Sequence, residues 1–345
     1  MQITPVAFDA IKVFSLAAFA SAIAIIWCPL LTNFLYKNQL WKKVARQKAI
    51  SGEDATVFNN LHKEKEVGTP RMGGLLIWVT VVLVAFVFWL TPWNFLSRGQ
   101  TWLPLFTLVV ASFVGLIDDI LVVKGWGKYI GGGISFRKRL IIVILIGLIG
   151  SIWFYQKLGW DMVFIPFFGD VSIGLWYIPL FILVTVACWS GGVIDGLDGL
   201  AGGTFASIFG AFTIIAFSLG KIDLAVFCAV VTGTLFAFLW FNIPPARFYM
   251  GETGILGLTT VLSVIAFLTD SVYVLPIIAG LLVITVASVI IQLLSKKIRK
   301  KKIFLSTPIH HHFEALGWPS YKVTMRAWII GIVLAFIGVA IRLLR

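Results

Sequence analysis

The chain has 345 residues, of which 59% are hydrophobic and only 12% charged, and its mean hydropathy is +0.99. Soluble domains are about half apolar and about a quarter charged, so this composition excludes a large water-soluble core and points to an integral membrane protein. The net charge of +13 would suggest nucleic acid in a soluble chain; here basic cytoplasmic loops account for it, no nucleic acid is expected, and membrane lipid or an anionic substrate is the partner.

Runs of about 17–25 apolar residues can span a bilayer. Ten occur, at 11–35, 72–91, 102–122, 139–155, 174–191, 201–219, 222–241, 255–269, 273–295 and 324–343. The expected class is therefore an all-α integral membrane protein of about ten transmembrane helices, read as one polytopic domain over 1–345. The first run has no short basic leader and no small-residue cleavage site, and reads as a retained helix. The run at 255–269 is the shortest. Between the fourth and fifth runs, 156–173 carry a Gly-Asp turn between β-prone stretches, which predicts a short external β-hairpin. Cys28, Cys188 and Cys228 are scattered through apolar runs and read as small buried hydrophobes.

The loops at 36–71, 123–138, 192–200, 242–254 and 296–323, with the helix-end Arg139 and Arg326, hold 22 of the 28 lysines and arginines. Positive loops stay inside. This side is therefore expected in the cytoplasm of a bacterial inner membrane, with both termini outside.

The 15 acids are informative because so many stand on that same side. "GLIDDI" puts Asp118 and Asp119 at the end of the third run. A solvated helix end and a hard-cation site both fit such a pair; Mg²⁺ takes one or two carboxylates together with substrate phosphate oxygens. "GGVIDGLDGLAGG" places Asp195 and Asp198 three apart, on one face of a helical turn, with Gly196 among glycines that admit close approach of a ligand. "FNIPPARFYMGETG" supplies Asn242, Tyr249 and Glu252. A transporter places its polar groups near the midplane on broken helices, so a cytoplasmic-face active site fits better than a transporter or a non-catalytic scaffold.

Three of the four histidines stand together in "TPIHHHFEALGW", as His310, His311 and His312, downstream of "KKIRKK". Neighbouring side chains diverge in a helix or a strand, so the three cannot share one small ion. Beside so much positive charge they suit phosphate oxygens.

Together "GTPRMGG", "DDI", "DGLDGLAGG", "LWFNIPPARFYMGETG", "IIQLL" and "PIHHHFEALGWP" resemble, in order and over nearly the whole chain, the polyprenyl-phosphate N-acetylhexosamine-1-phosphate transferases. The histidine run points to their muramoyl-pentapeptide branch. The resemblance implies transfer from UDP-N-acetylmuramoyl-pentapeptide to undecaprenyl phosphate with Mg²⁺, and assembly as a homodimer. The same-superfamily alternative uses UDP-N-acetylglucosamine. By position Asp118 matches the base for the lipid phosphate, with Asp119 its neighbour. Glu252 matches a Mg²⁺-binding Asp, and Asp118 and Asp119 join it as expected metal ligands. Lys65 and His310 fall at catalytic positions. Asp195, Gly196, Asp198, Asn242, Tyr249, Gln292, His311 and His312 fall at substrate-binding ones. The chain departs from the family at Glu66, where a lysine is usual, at Arg71 for Thr, at Gly192 for Asn and at Ile255 for Ser. A retuned or inactive paralogue is the reading that these departures leave open.

Overall fold

A segment in hydrocarbon must satisfy its own backbone, and for an open chain that means a helix. The computed structural model describes residues 4–43, 67–127 and 132–345. Within them the apolar runs fold as α1 (Pro5–Lys37), α2 (Leu75–Phe88), α3 (Trp102–Val123), α4 (Phe136–Lys157), α5 (Tyr177–Ser190), α6 (Leu200–Ser218), α7 (Ile222–Asn242), α8 (Gly251–Leu268), α9 (Gly280–Arg299), a short α10 (Ile309–Ala315) and α11 (Ser320–Leu343).

Among the described residues nine helices are long and apolar enough to cross a membrane, and α2, with 14 residues, is a shorter apolar helix. The second expected span, 72–91, is thus trimmed at both ends. At 1.5 Å per residue α2 covers about 21 Å, less than the roughly 30 Å hydrocarbon core. Met72 takes a positive φ of 70°, and the N–H groups of Gly73 and Gly74 donate to the carbonyls of Tyr249 and Met250. Residues 72–74 therefore form a turn fastened to the segment before α8. The ninth run also divides, into a single turn at Leu275–Ile278 and α9, which continues through Lys296, Lys297 and Arg299. Those cations, expected in a loop, instead end a helix, where its dipole favours them.

The expected hairpin is present: β1 (Met162–Ile165) pairs antiparallel with β2 (Gly169–Ser172), Met162 opposite Ser172 and Ile165 opposite Gly169. It lies at the end of the bundle away from Asp118. There Arg345 pairs with Asp170 of the hairpin and with Asp270, and Lys12 donates to the Asn94 carbonyl at 2.8 Å and pairs with Asp223. The start of α1 and the end of α11 thus share that end.

The shortest expected span becomes the most enclosed helix. Every residue of α8 from Thr253 to Leu268 is buried; the helix packs along α3 and also touches α2, α4, α5 and α6. Its hydroxyls are satisfied internally: Thr259 and Thr260 donate to the Ile255 and Leu256 carbonyls, and Ser263 bonds Thr185 of α5 at 3.0 Å. Small residues bring the α3 and α8 backbones together, as in other membrane helix pairs. A Cβ on Gly115 of α3 would stand 2.1 Å from the Glu252 carbonyl oxygen, and one on Gly257 of α8 would stand 2.0 Å from Ser112 Oγ.

Gly115→Ala should therefore force α3 from α8, at the cost of about 1–3 kcal/mol usual for overpacking. It should lower the thermal unfolding midpoint in detergent by several degrees. Gly210→Ala on α6, where a Cβ meets nothing within 4 Å, should leave the midpoint unchanged or slightly higher. Equal midpoints for the two variants would contradict the close approach.

Candidate active site

Asp118 and Asp119 end α3, and adjacent helical side chains diverge. Asp119 turns to the start of α8. Its Oδ2 accepts from the Thr253 N–H at 2.9 Å and the Thr253 hydroxyl at 2.7 Å, while Oδ1 takes Arg71 Nε at 3.0 Å. The residue is 0% exposed. With both oxygens held by protein donors, Asp119 anchors the start of α8 to α3.

Asp118 turns to the loop before α4. Its Oδ1 accepts the Ile134 N–H at 2.5 Å, and its Oδ2 lies 3.0 Å from Arg139 Nη2. Gly133, at φ +90°, lets this loop close: a Cβ there would stand 2.8 Å from Asp118 Oδ1. Arg139 also reaches Glu252 Oε1 through Nη1 at 2.5 Å and the Ile134 carbonyl through Nε at 3.0 Å. One guanidinium thus joins α3, α4 and α8.

The stretch between α5 and α6 runs from a 3₁₀ turn at Gly191–Ile194 to Gly199. Asp195 Oδ2 accepts the Gly251 N–H at 3.3 Å, and Asp198 Oδ2 the Ala246 N–H at 3.4 Å. Burial pushes the Asp195 carboxyl up to about 6, against the opposing pull of Arg71. Asn242, buried at the end of α7, accepts the Gly199 N–H at 2.9 Å and donates to the Phe248 carbonyl at 2.8 Å, so it positions the loop. From α11, Thr324 and Trp328 donate to the Asp198 and Gly199 carbonyls.

The histidines divide two to one: against the expected divergence of neighbours, His310 and His311 stay together, and His312 alone turns away. In α10, His310 and His311 are buried, their ring centroids 4.4 Å apart, and they press on the aspartate loop. A Cβ on Gly196 would come within 2.2 Å of His310 Nε2 and 3.0 Å of His311 Nε2, so only glycine fits there. His311 Nδ1 pairs with Glu314 Oε2 at 2.8 Å, as an i, i+3 spacing allows. His312 turns away, packing edge-on against Phe304 and accepting the Leu305 N–H. Gln292 of α9 is likewise engaged with backbone: it accepts from Ile303 and Phe304 and donates to the Phe304 carbonyl, strapping the basic segment to its helix. Tyr249 joins the Pro70–Gly73 turn through its own N–H and carbonyl.

Lys65 and Glu66 lie outside the described residues. The other departures fall at the site. Arg71 binds Asp119, and Gly192 faces Ile255, whose Cγ2 would be 2.5 Å from a Cβ at position 192. Sequence reasoning missed Arg139, counted only as a charge, and Glu314, visible only through its spacing from His311.

Among the described residues, no three His, Cys, Asp or Glu side chains converge as a metal-holding group; in this cluster guanidinium groups stand between the carboxylates. Asp118 and Glu252 remain as an all-oxygen pair facing each other across Arg139. That donor set fits Mg²⁺, which takes one or two carboxylates and completes its shell with water and phosphate oxygens.

Residues 101–270 match the model of glycosyl transferase family 4, a stretch that contains every site aspartate and Glu252 but not the histidines. The chain is 34% identical over 281 residues to a phospho-N-acetylmuramoyl-pentapeptide-transferase of Geobacillus sp. (strain WCH70), covering 81% of this chain and 85% of that protein. It is 36% identical over 279 residues to the transferase of that name from Lactiplantibacillus plantarum, covering 80% and 85%, and 35% identical over 318 residues to the one from Chloroflexus aurantiacus, covering 88% and 85%.

The raised carboxyl of Asp195 carries a pH signature. Folded protein keeps this proton after the unfolded chain, with its ordinary value of 3.8, has lost it. This group therefore makes stability fall as pH rises from about 4 to about 6, with a constant cost above. Asp195→Asn removes that slope. The variant's unfolding midpoint, relative to the native protein's, should climb across that window and level off above it. Parallel profiles for the two proteins would mean that Asp195 is not desolvated.

Proposed function

The chain belongs to the phospho-N-acetylmuramoyl-pentapeptide transferases, and from that premise we propose that it transfers phospho-N-acetylmuramoyl-pentapeptide from its UDP-linked form to undecaprenyl phosphate, giving lipid I and UMP. The observation that carries this reading is the joint position of Asp118, Glu252, Arg71 and Arg139 at one end of the helix bundle, with His310 and His311 against the Asp195–Asp198 loop. The basic loops are on the same end, which supports a cytoplasmic-face site in a bacterial inner membrane. A transporter reading finds no support in groups gathered at one end and not at mid-depth. Pairing into a homodimer belongs to the same proposal.

An oxygen of the lipid phosphate attacks the sugar-linked phosphorus, the bond between the two phosphorus atoms through their bridging oxygen breaks, and UMP leaves with that oxygen. Positioning and charge neutralisation do most of the work in such transfers. Asp118, at the cytoplasmic end of α3, takes the remaining proton of the lipid phosphate and orients it. Arg139 and Arg71 offer forked donors that match phosphate oxygens. His310 and His311, over the glycine at 196, contact the nucleotide-sugar, His311 being oriented by Glu314. Asp118 and Glu252 would hold Mg²⁺, which when bound neutralises charge on the diphosphate.

Purified protein should release UMP only when both UDP-N-acetylmuramoyl-pentapeptide and undecaprenyl phosphate are present, and excess EDTA should stop it. Release from UDP-N-acetylglucosamine instead would favour the sister activity. Asp118→Asn should cost about 10²–10⁴-fold in turnover, the usual range for a general base, with nucleotide-sugar affinity little changed; near-native turnover would remove that role.

The separation of the histidines gives a further test. His310→Gln and His311→Gln should each cost far more activity than His312→Gln, whose side chain faces Phe304. Equal losses at all three would return them to one cluster.

A further inference from the structure

We infer that Arg139 takes the position between Asp118 and Glu252 that a divalent cation would occupy, so that the substrate-free protein carries its own counter-cation and Mg²⁺ competes with a side chain for this carboxylate pair. The inference rests on the transferase reading for one point, that a diphosphate is the group able to draw Arg139 away.

The geometry is that of a built bridge. All three guanidinium nitrogens are used: Nη2 on Asp118 Oδ2 at 3.0 Å, Nη1 on Glu252 Oε1 at 2.5 Å and Nε on the Ile134 carbonyl at 3.0 Å. The planar fork suits two acceptors at once, and a lysine ammonium cannot span them in this way. Mg²⁺ needs its oxygens at about 2.0–2.1 Å. A guanidinium donating to both carboxylates fills that space, so the two cations exclude each other.

Charge supports the exclusion. Arg71 lies on Asp119, so two guanidinium groups face the three carboxylates of Asp118, Asp119 and Glu252. A dication meets one net negative charge there in place of three. The direction of Arg139 is specific. Phe136-Arg137-Lys138-Arg139 opens α4, and Arg137 and Lys138 are exposed while Arg139 turns inward. The segment 132–134 covers it, with Gly133 close to both Asp118 and Arg139. A diphosphate offers a guanidinium forked, charged acceptors. Its arrival would let Arg139 exchange carboxylates for phosphate oxygens and leave the pair open to the metal, so that metal binding follows nucleotide-sugar binding.

The test measures Mn²⁺, a spectroscopic stand-in for Mg²⁺, binding to the full-length protein in detergent without substrate, by electron paramagnetic resonance. The native protein should bind weakly. Arg139→Gln should tighten binding by about tenfold or more, the scale expected when a contacting like charge is removed from a part-buried site. Arg137→Gln, which removes the same charge from the exposed face two residues away, should change it less than twofold. A folded Arg139→Gln protein with native Mn²⁺ affinity overturns the inference, as does an equal gain in Arg137→Gln. Should Arg139→Gln fail to fold, Arg139→Lys replaces it, with a smaller gain expected and no gain overturning the idea. UMP release is measured separately. Tighter Mn²⁺ binding by the variant of a protein that releases no UMP would refute the transferase reading and leave this one standing.

Discussion

Asp119 fastens α3 to the start of α8, two helices whose backbones approach closely at glycines. A buried carboxylate is costly unless its partners replace water. This one has three donors: the Thr253 N–H and hydroxyl at the first turn of α8, and Arg71 from the turn before α2. The start of a helix also favours negative charge, so the carboxylate meets both the orphan donor and the dipole. Everything else at the site takes its position from this joint. With α8 fixed in register on α3, Gly115 lies against the backbone of Glu252, and the Glu252 carboxylate comes to face Asp118 across Arg139. The N–H of Gly251 then meets Asp195, which ties the glycine-rich loop, and through it α10, to the same point.

Much of this was legible in the sequence because a bilayer imposes so few solutions. Length and apolarity located the spans, and β-prone stretches around a Gly-Asp pair located the hairpin, although its turn falls at 166–168 and Gly169 and Asp170 open β2. α2 was misjudged in length because Met72, Gly73 and Gly74 read as apolar, although their backbone is committed to Tyr249 and Met250. The shortest run proved the most buried since a central helix has no lipid thickness to match on its exposed sides; it has scarcely any exposed sides. Site residues followed a similar rule. The adjacent acids diverge as expected, but His310 and His311 both reach Gly196 and only His312 turns away; sequence does not say which members turn inward. Three consecutive basic residues look alike in "FRKR", and only the fold distinguishes Arg139. The resemblance placed Asn242 and Gln292 at substrate-binding positions; in the fold their hydrogen bonds go to backbone, and they hold loops in place.

Family membership and the departures are compatible because the departures are not scattered. Arg71 stands on Asp119, which the family match covers. Glu252 of α8 meets Arg139 of α4. The site therefore changes as a set of mutually satisfied charges, with no carboxylate stranded in the membrane, where an unpaired charge would be expensive.

The contact between Gly192 and Ile255 links two of these departures. The resemblance places an Asn and a Ser at these positions. A side chain at 192 would begin 2.5 Å from Ile255 Cγ2, so enlarging 192 while Ile255 remains means overpacking. Shrinking the buried Ile255 alone leaves a cavity, which carries its own cost. The two positions are therefore coupled, and exchanging both together should cost less than the sum of the single exchanges.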